Sequence, residues 1–147
     1  MCPSLPLNFL AQVIISFGAG FDLESTDLAY LAQMRNISDF ARSKGVEMGG
    51  YDLLASTRGR GHNTSIECIS PAGVPDGNTC LSSQGSDDVF SHILNFVNAT
   101  KWGSVETDGP YEGASCSSTT HTHHENLHDS VFTQWTRNME FYHSLGK

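Results

Sequence analysis

The first patterned stretch of the chain is "QVIISF", residues 12–17, a β-branched apolar run closed by "GAG". It predicts a buried strand followed by a tight loop. In the "STDLAYLAQMRNISDFARSKG" that comes next, Tyr30, Met34, Ile37 and Ala41 recur at the spacing of one helix face. Asp27 suits the start of that helix, and Lys44 with Gly45 marks its end. "VEMGGYDLLAS" then reads as a strand ending at Asp52. Residues 58–84 are rich in Gly, Asn, Ser, Thr and Pro and predict loop. A second helix fits "SDDVFSHILNFVNATKWG", with Ser86 as cap, Phe90, Ile93, Leu94 and Val97 as its apolar stripe, and Gly103 as its stop. "SVETDGPYEG" gives a third strand ending near Asp108. "LHDSVFTQWTRNMEFYHSLGK" gives a third helix with Leu127, Val131, Trp135 and Met139 on one side and Gly146 at its end.

Strand and helix thus alternate, the signature of βα units and a parallel sheet. A glycine follows each helix (Gly45, Gly103, Gly146), and each strand leads to an acidic residue: Asp22, Asp52, Asp108. In a β/α barrel the strand C-termini converge on the catalytic face. A full barrel takes about 250 residues, and this chain has 147. The expected fold class is therefore α/β, either a small open sheet or part of a TIM-type (β/α) barrel, one domain over residues 1–147.

Charge narrows the function. A net charge of -8 argues against nucleic acid and anionic membrane surfaces as partners, since both want a basic patch. No apolar run approaches the roughly 20 residues of a membrane span. The apolar start "MCPSLPLNFLAQVIISFGAGF" carries no positive residue, so it reads as fold and not as a clear signal peptide. Four cysteines occur, Cys2, Cys68, Cys80 and Cys116, and Cys68 with Cys80 flanks a loop that a disulfide would close. With sequons at Asn36, Asn63 and Asn98 they favour an extracellular, lysosomal or other secretory compartment.

"HENLH", His124 to His128, matches the H-E-x-x-H of zinc hydrolases, in which two histidines one turn apart bind zinc and the glutamate is the base. Its surroundings argue against that use. Asp129 follows the second histidine, and the extended pattern's later Gly and His positions hold Val131 and Gln134. The motif lies at a helix start, in a polar loop that also contains His121 and His123. The expectation is no cofactor and no metal, with His124 and His128 the metal candidates that remain. Cys116 with two of the histidines is a further combination, loosely spaced.

"VETDGPY" says more. Alternation puts Glu106 and Asp108 on one side of the strand, and Gly109–Pro110 then turns the chain, leaving Asp108 and Tyr111 at the opening. Capping of the turn would explain an aspartate there equally well. Together, "ISFGAGFDLE", "ARSKGVEMGGYDLLAS" and "VETDGPYEG" resemble consecutive pieces of the barrel of retaining glycoside hydrolases of the α-galactosidase (melibiase) clan. The resemblance runs over about Val13 to Lys147, as barrel units two, three and four.

That resemblance implies a partial barrel of parallel βα units, with Asp108 as nucleophile attacking the anomeric carbon. It implies that Asp22, Tyr51 and Asp52 line the sugar pocket and that Tyr111 and Cys116 stand in its wall. Trp102 and Trp135 would pack in the outer ring. The partner implied is a carbohydrate, an α-galactoside or similar. The second carboxyl of a retaining pair, about 5–5.5 Å from the first, comes from a later strand in this clan, and the first strand is vestigial in Met1 to Ala11. The expectation is a glycosidase fragment with little turnover alone, self-associating through exposed sheet edges. The alternatives are a non-catalytic carbohydrate-binding or scaffold remnant of the same fold, and a zinc-dependent hydrolase built on "HENLH".

Overall fold

The computed structural model describes residues 11–16, 18, 20–57, 63–109 and 113–146. The order of elements is β1 (Ala11–Ile15), α1 (Leu28–Ser43), β2 (Val46–Asp52), β3 (Glu67–Ile69), β4 (Pro75–Thr79), α2 (Gln84–Thr100), β5 (Ser104–Thr107) and α3 (Leu127–Leu145). Strands β1, β2 and β5 form a parallel three-stranded sheet in that order. β1 runs beside β2 with Ala11 opposite Val46 and Ile15 opposite Gly50. β3 and β4 form a separate antiparallel pair. The α/β class and the parallel strands expected from the pattern are present. The expected first strand in Met1 to Ala11 lies almost wholly outside the described residues. Among those residues no helix is long and apolar enough to cross a membrane.

The chain divides into two compact units, Met1–Asp52 with Asn95–Glu106, and Leu53–Leu94 with Thr107–Lys147. In the first, α1 starts at Asp27, whose carboxylate accepts the Ala29 and Tyr30 amides, and ends at Lys44 before Gly45. Its buried face is Leu31, Met34, Ser38 and Ala41. The predicted Tyr30 and Ile37 sit at the margin of that face, because Leu31 and the small Ser38 lie closer to the sheet side. The core of this unit is aromatic. Trp102 stacks on Phe21 at 5.0 Å between centroids and meets Phe96 edge-on at 5.3 Å. Trp102 belongs to this core and not to an outer helix face, since α2 already ends at Thr100. The stop is Lys101, at φ 59, and not Gly103. Gly103 serves close approach instead: a Cβ there would lie 1.8 Å from the Glu47 carboxylate.

The second unit departs further from expectation. Part of the loop expected over residues 58–84 is the β3–β4 pair. Ser70 and Gly73, the latter at φ 78, form its turn, and Pro75 opens β4 where a missing amide costs least. The pair is short and irregular in register, with no apolar alternation for sequence reading to find. Its anchor is Glu67, fully buried, whose carboxylate accepts the Gly77 amide at 2.8 Å. α2 begins at Gln84 with Ser83 as the cap, its hydroxyl accepting the Ser86 amide at 3.2 Å. Ser86, the predicted cap, donates its own hydroxyl to the Leu81 and Ser83 carbonyls.

α3 reverses the predicted orientation. Its buried residues are Ser130, Gln134, Asn138 and Phe141. Trp135 and Met139, placed on the inner stripe by their spacing, are each 49% exposed. The polar face turns inward because loop backbone is there to be satisfied. Gln134 accepts the Leu81 amide at 3.1 Å and donates to the Ala114 carbonyl at 2.6 Å. Ser130 accepts the Cys116 amide at 3.0 Å.

Candidate functional site

Two long βα loops carry the chemistry of this molecule. One leaves β2 and contains the β3–β4 pair and Cys80; the other leaves β5 and contains residues 108–126. Asp52 is the last residue of β2 and is buried, with Tyr51 half-buried beside it. Asp108 directly follows β5 and is exposed, with its backbone carbonyl accepting the Ala55 amide at 3.3 Å. Asp22 does not end a strand: it lies beyond β1 in a turn, its carboxylate accepting the Glu24 amide at 3.0 Å. Tyr111 lies outside the described residues.

Gly109 fixes the exit from Asp108. Its φ is +133, and a Cβ there would come within 1.9 Å of the Ala55 Cβ. Gly109→Ala is expected to destabilise the second unit by about 1–3 kcal/mol through backbone strain, with the clash added. Urea denaturation checks it, and a variant as stable as the parent would remove Gly109's role in setting the turn.

Cys116 stands apart from any exposed wall. It is fully buried, as are Cys68 and Cys80, and the three thiols lie together as free cysteines. The disulfide expected between Cys68 and Cys80 is not formed. Cys68 Sγ is instead directed at the Ala114 carbonyl (3.6 Å) and Gln134 Oε1 (3.9 Å). His121 and His124 close the group, with their rings edge-on and centroids 5.5 Å apart. Cys116 Sγ lies 3.5 Å from His121 Nδ1, and His124 Nε2 lies 3.4 Å from the same nitrogen. Ligand atoms of Cys80, Cys116, His121 and His124 all fall within 4.8 Å of one another.

The electrostatics follow from this crowding. Hydrogen bonds from Cys68 and Cys80, and then from His121, hold Cys116 far below the ordinary thiol range. Cys68 is pushed well up by the same bonds and by burial. Cys80 is pushed up to about 12, its bond to Cys116 leading, with burial adding to it. Burial depresses the imidazolium of His121, but the Cys116 sulfur and the Thr64 carbonyl outweigh it and leave its pKa raised. The outer loop is tied separately. Burial opposes ionisation of Asp87, but the hydrogen bond from His123 and the charge of Arg137 hold its carboxyl below the usual range.

"HENLH" is not one helical face. α3 starts at Leu127 with Asn126 as cap and Asp129 completing a capping box, so His124 precedes the helix. His124 is buried, whereas Glu125 and His128 are exposed. The geometry of a zinc hydrolase helix is therefore absent. His124 joins the cysteine–histidine group, and His128 stays outside it. Cys80, from a segment read as loop, is the member that sequence spacing did not bring together: 35 residues separate it from Cys116. Comparison of the chain with family models, with curated proteins and with solved structures finds no match.

Proposed function

We propose that this chain carries the nucleophile region of a retaining glycoside hydrolase of the α-galactosidase type, within a larger (β/α) barrel, with Asp108 as the nucleophile. The observation that supports this most is the single winding of the sheet. Each parallel strand is laid beside the one before it, β1-β2-β5, and each of the three is followed by a helix. A barrel advances in this way, whereas a doubly wound sheet reverses direction at its switch point. Asp108, directly after β5, then occupies the end of a barrel strand, where catalytic residues of this architecture reside. β1 also supports a larger sheet, since Val13 is 46% and Ile14 38% exposed, although parallel strands are normally covered on both faces. That edge is where a second copy would pair.

In the proposed reaction the Asp108 carboxylate attacks the anomeric carbon as the glycosidic C–O bond breaks, forming a glycosyl ester that water then hydrolyses. The acid/base carboxyl belongs to a later strand of the proposed barrel. The secretory compartment is part of the same reading, supported by the exposure of Asn36, Asn63 and Asn98.

The test is intact-mass spectrometry of the chain after incubation with 5-fluoro-α-galactosyl fluoride. Fluoride departs with little help from a general acid, so the second carboxyl is not needed. The expected result is one glycosyl adduct, mapped to Asp108 and absent in Asp108→Asn. A folded chain that takes no adduct would sink the nucleophile and leave a carbohydrate-binding or scaffold role.

A further inference from the structure

We propose that Cys80, Cys116, His121 and His124 bind a zinc ion that staples the loop following β2 to the loop following β5. The proposal stands on these four side chains alone, and Asp108 and sugar chemistry play no part in it.

The spacing of the donor atoms is the first ground. Zinc sits about 2.0–2.1 Å from imidazole nitrogen and about 2.3 Å from thiolate sulfur, in a tetrahedron. Those lengths put two nitrogens about 3.3–3.4 Å apart, and a nitrogen and a sulfur about 3.5–3.6 Å apart. The structure has His121 Nδ1 and His124 Nε2 at 3.4 Å, and Cys116 Sγ and His121 Nδ1 at 3.5 Å. The shell of Cys80 completes four donors.

The surroundings of the donors agree. His121 turns Nε2 to the Thr64 carbonyl at 3.0 Å, so Nε2 carries a hydrogen and Nδ1 is the nitrogen that faces Cys116 Sγ. Metal-bound histidines are commonly held by such a bond. The Ile69 amide points at Cys116 Sγ at 3.4 Å, a donor suited to a thiolate. His124 is 6% exposed, and its Nδ1 finds no partner among the described residues. Cys68 stands behind the shell as a thiol donor.

The donor types select the ion. Thiolate and imidazole without carboxylate exclude calcium and magnesium, which take oxygen ligands. Four protein donors, all buried, fill a tetrahedron and leave no open position, so the site is structural and not hydrolytic.

The experiment uses the full chain, expressed with zinc and dialysed against metal-free buffer, with metal and protein measured together. One zinc per chain is expected. Cys116→Ser and His124→Ala are expected to weaken zinc by more than ~100-fold, the upper range for changing a residue that only supports a ligand, while His128→Ala keeps it. To keep the test independent of how the ligand variants fold, the parent is also loaded with cobalt(II). The expected spectrum has the intense visible bands of tetrahedral cobalt and thiolate-to-cobalt charge transfer, both erased by added zinc. A folded parent that holds no zinc and gives no charge transfer would overturn the proposal, as would loss of zinc in His128→Ala. A failed glycosyl adduct with zinc retained would count against Asp108 only.

Discussion

Trp102→Ala is expected to destabilise the first unit by about 3–5 kcal/mol, the range for removing a large buried aromatic. The indole is 2% exposed, lies flat on Phe21, abuts Phe96 edge-on, and donates from Nε1 to the Met34 carbonyl at 3.2 Å. Alanine loses the buried area, both aromatic contacts and the hydrogen bond, and the rings around it cannot close the space without leaving their own positions. Against a typical total of about 5–15 kcal/mol, such a loss abolishes cooperative folding in a marginal domain. Urea unfolding followed by far-UV circular dichroism measures it. Since the chain has two tryptophans, Trp135 remains as an independent fluorescence probe in the variant. A cost below about 1 kcal/mol, the range of surface substitutions and mild core changes, would mean that Trp102 does not hold this core.

The second large effect is expected at Gln134, a fully buried polar side chain on the inward face of α3. Its amide accepts from Leu81 and donates to the carbonyls of Ala114 and Ser130. Gln134→Ala strands the Leu81 amide and leaves the half-buried Ala114 carbonyl only the weak Cys68 thiol donor. The buried amide left unpaired costs about 1–3 kcal/mol, to which the weakened Ala114 bond adds. Gln134→Leu distinguishes hydrogen bonding from volume, because it fills the space and satisfies neither group. Leucine and alanine variants of similar instability are expected. A leucine variant as stable as the parent would show that the space matters and the hydrogen bonds do not.

The parts of the fold that sequence reading reached share one physical property: the information lay within a few neighbouring residues. Asp27, Lys44 and Gly45 bracket α1 because caps are local chemistry. β2 ends at Asp52 as its pattern implied. The failures came where distant residues supplied the partner. The β3–β4 pair is organised by a carboxylate, Glu67, reaching ten residues along to the Gly77 amide, and "PDGNT" has no strand character of its own. Ser86 looked like a cap because it precedes two aspartates, whereas the start of α2 is set by Ser83. The cysteine–histidine group was half legible. Cys116, His121 and His124 fall within nine residues, but the fourth donor arrives from the other loop, and only the folded chain brings it in.

α3 was misread for a related reason. A helix is ordinarily oriented by water, which rejects its apolar stripe. Here the loops it covers expose amide and carbonyl groups, and Ser130, Gln134 and Asn138 turn toward them.

The inversion of α3 has a consequence for how this helix tolerates change over generations. In an ordinary amphipathic helix, substitutions drift on the polar side and are purged on the apolar one. In α3 selection for folding would act the other way round. Phe132, Trp135 and Met139 are open to exchange as far as folding is concerned, and Ser130, Gln134 and Asn138, residues usually regarded as replaceable, would be the constrained set. If the exposed trio were also found constrained in a mutational scan, its constraint would have to come from something other than folding of this chain.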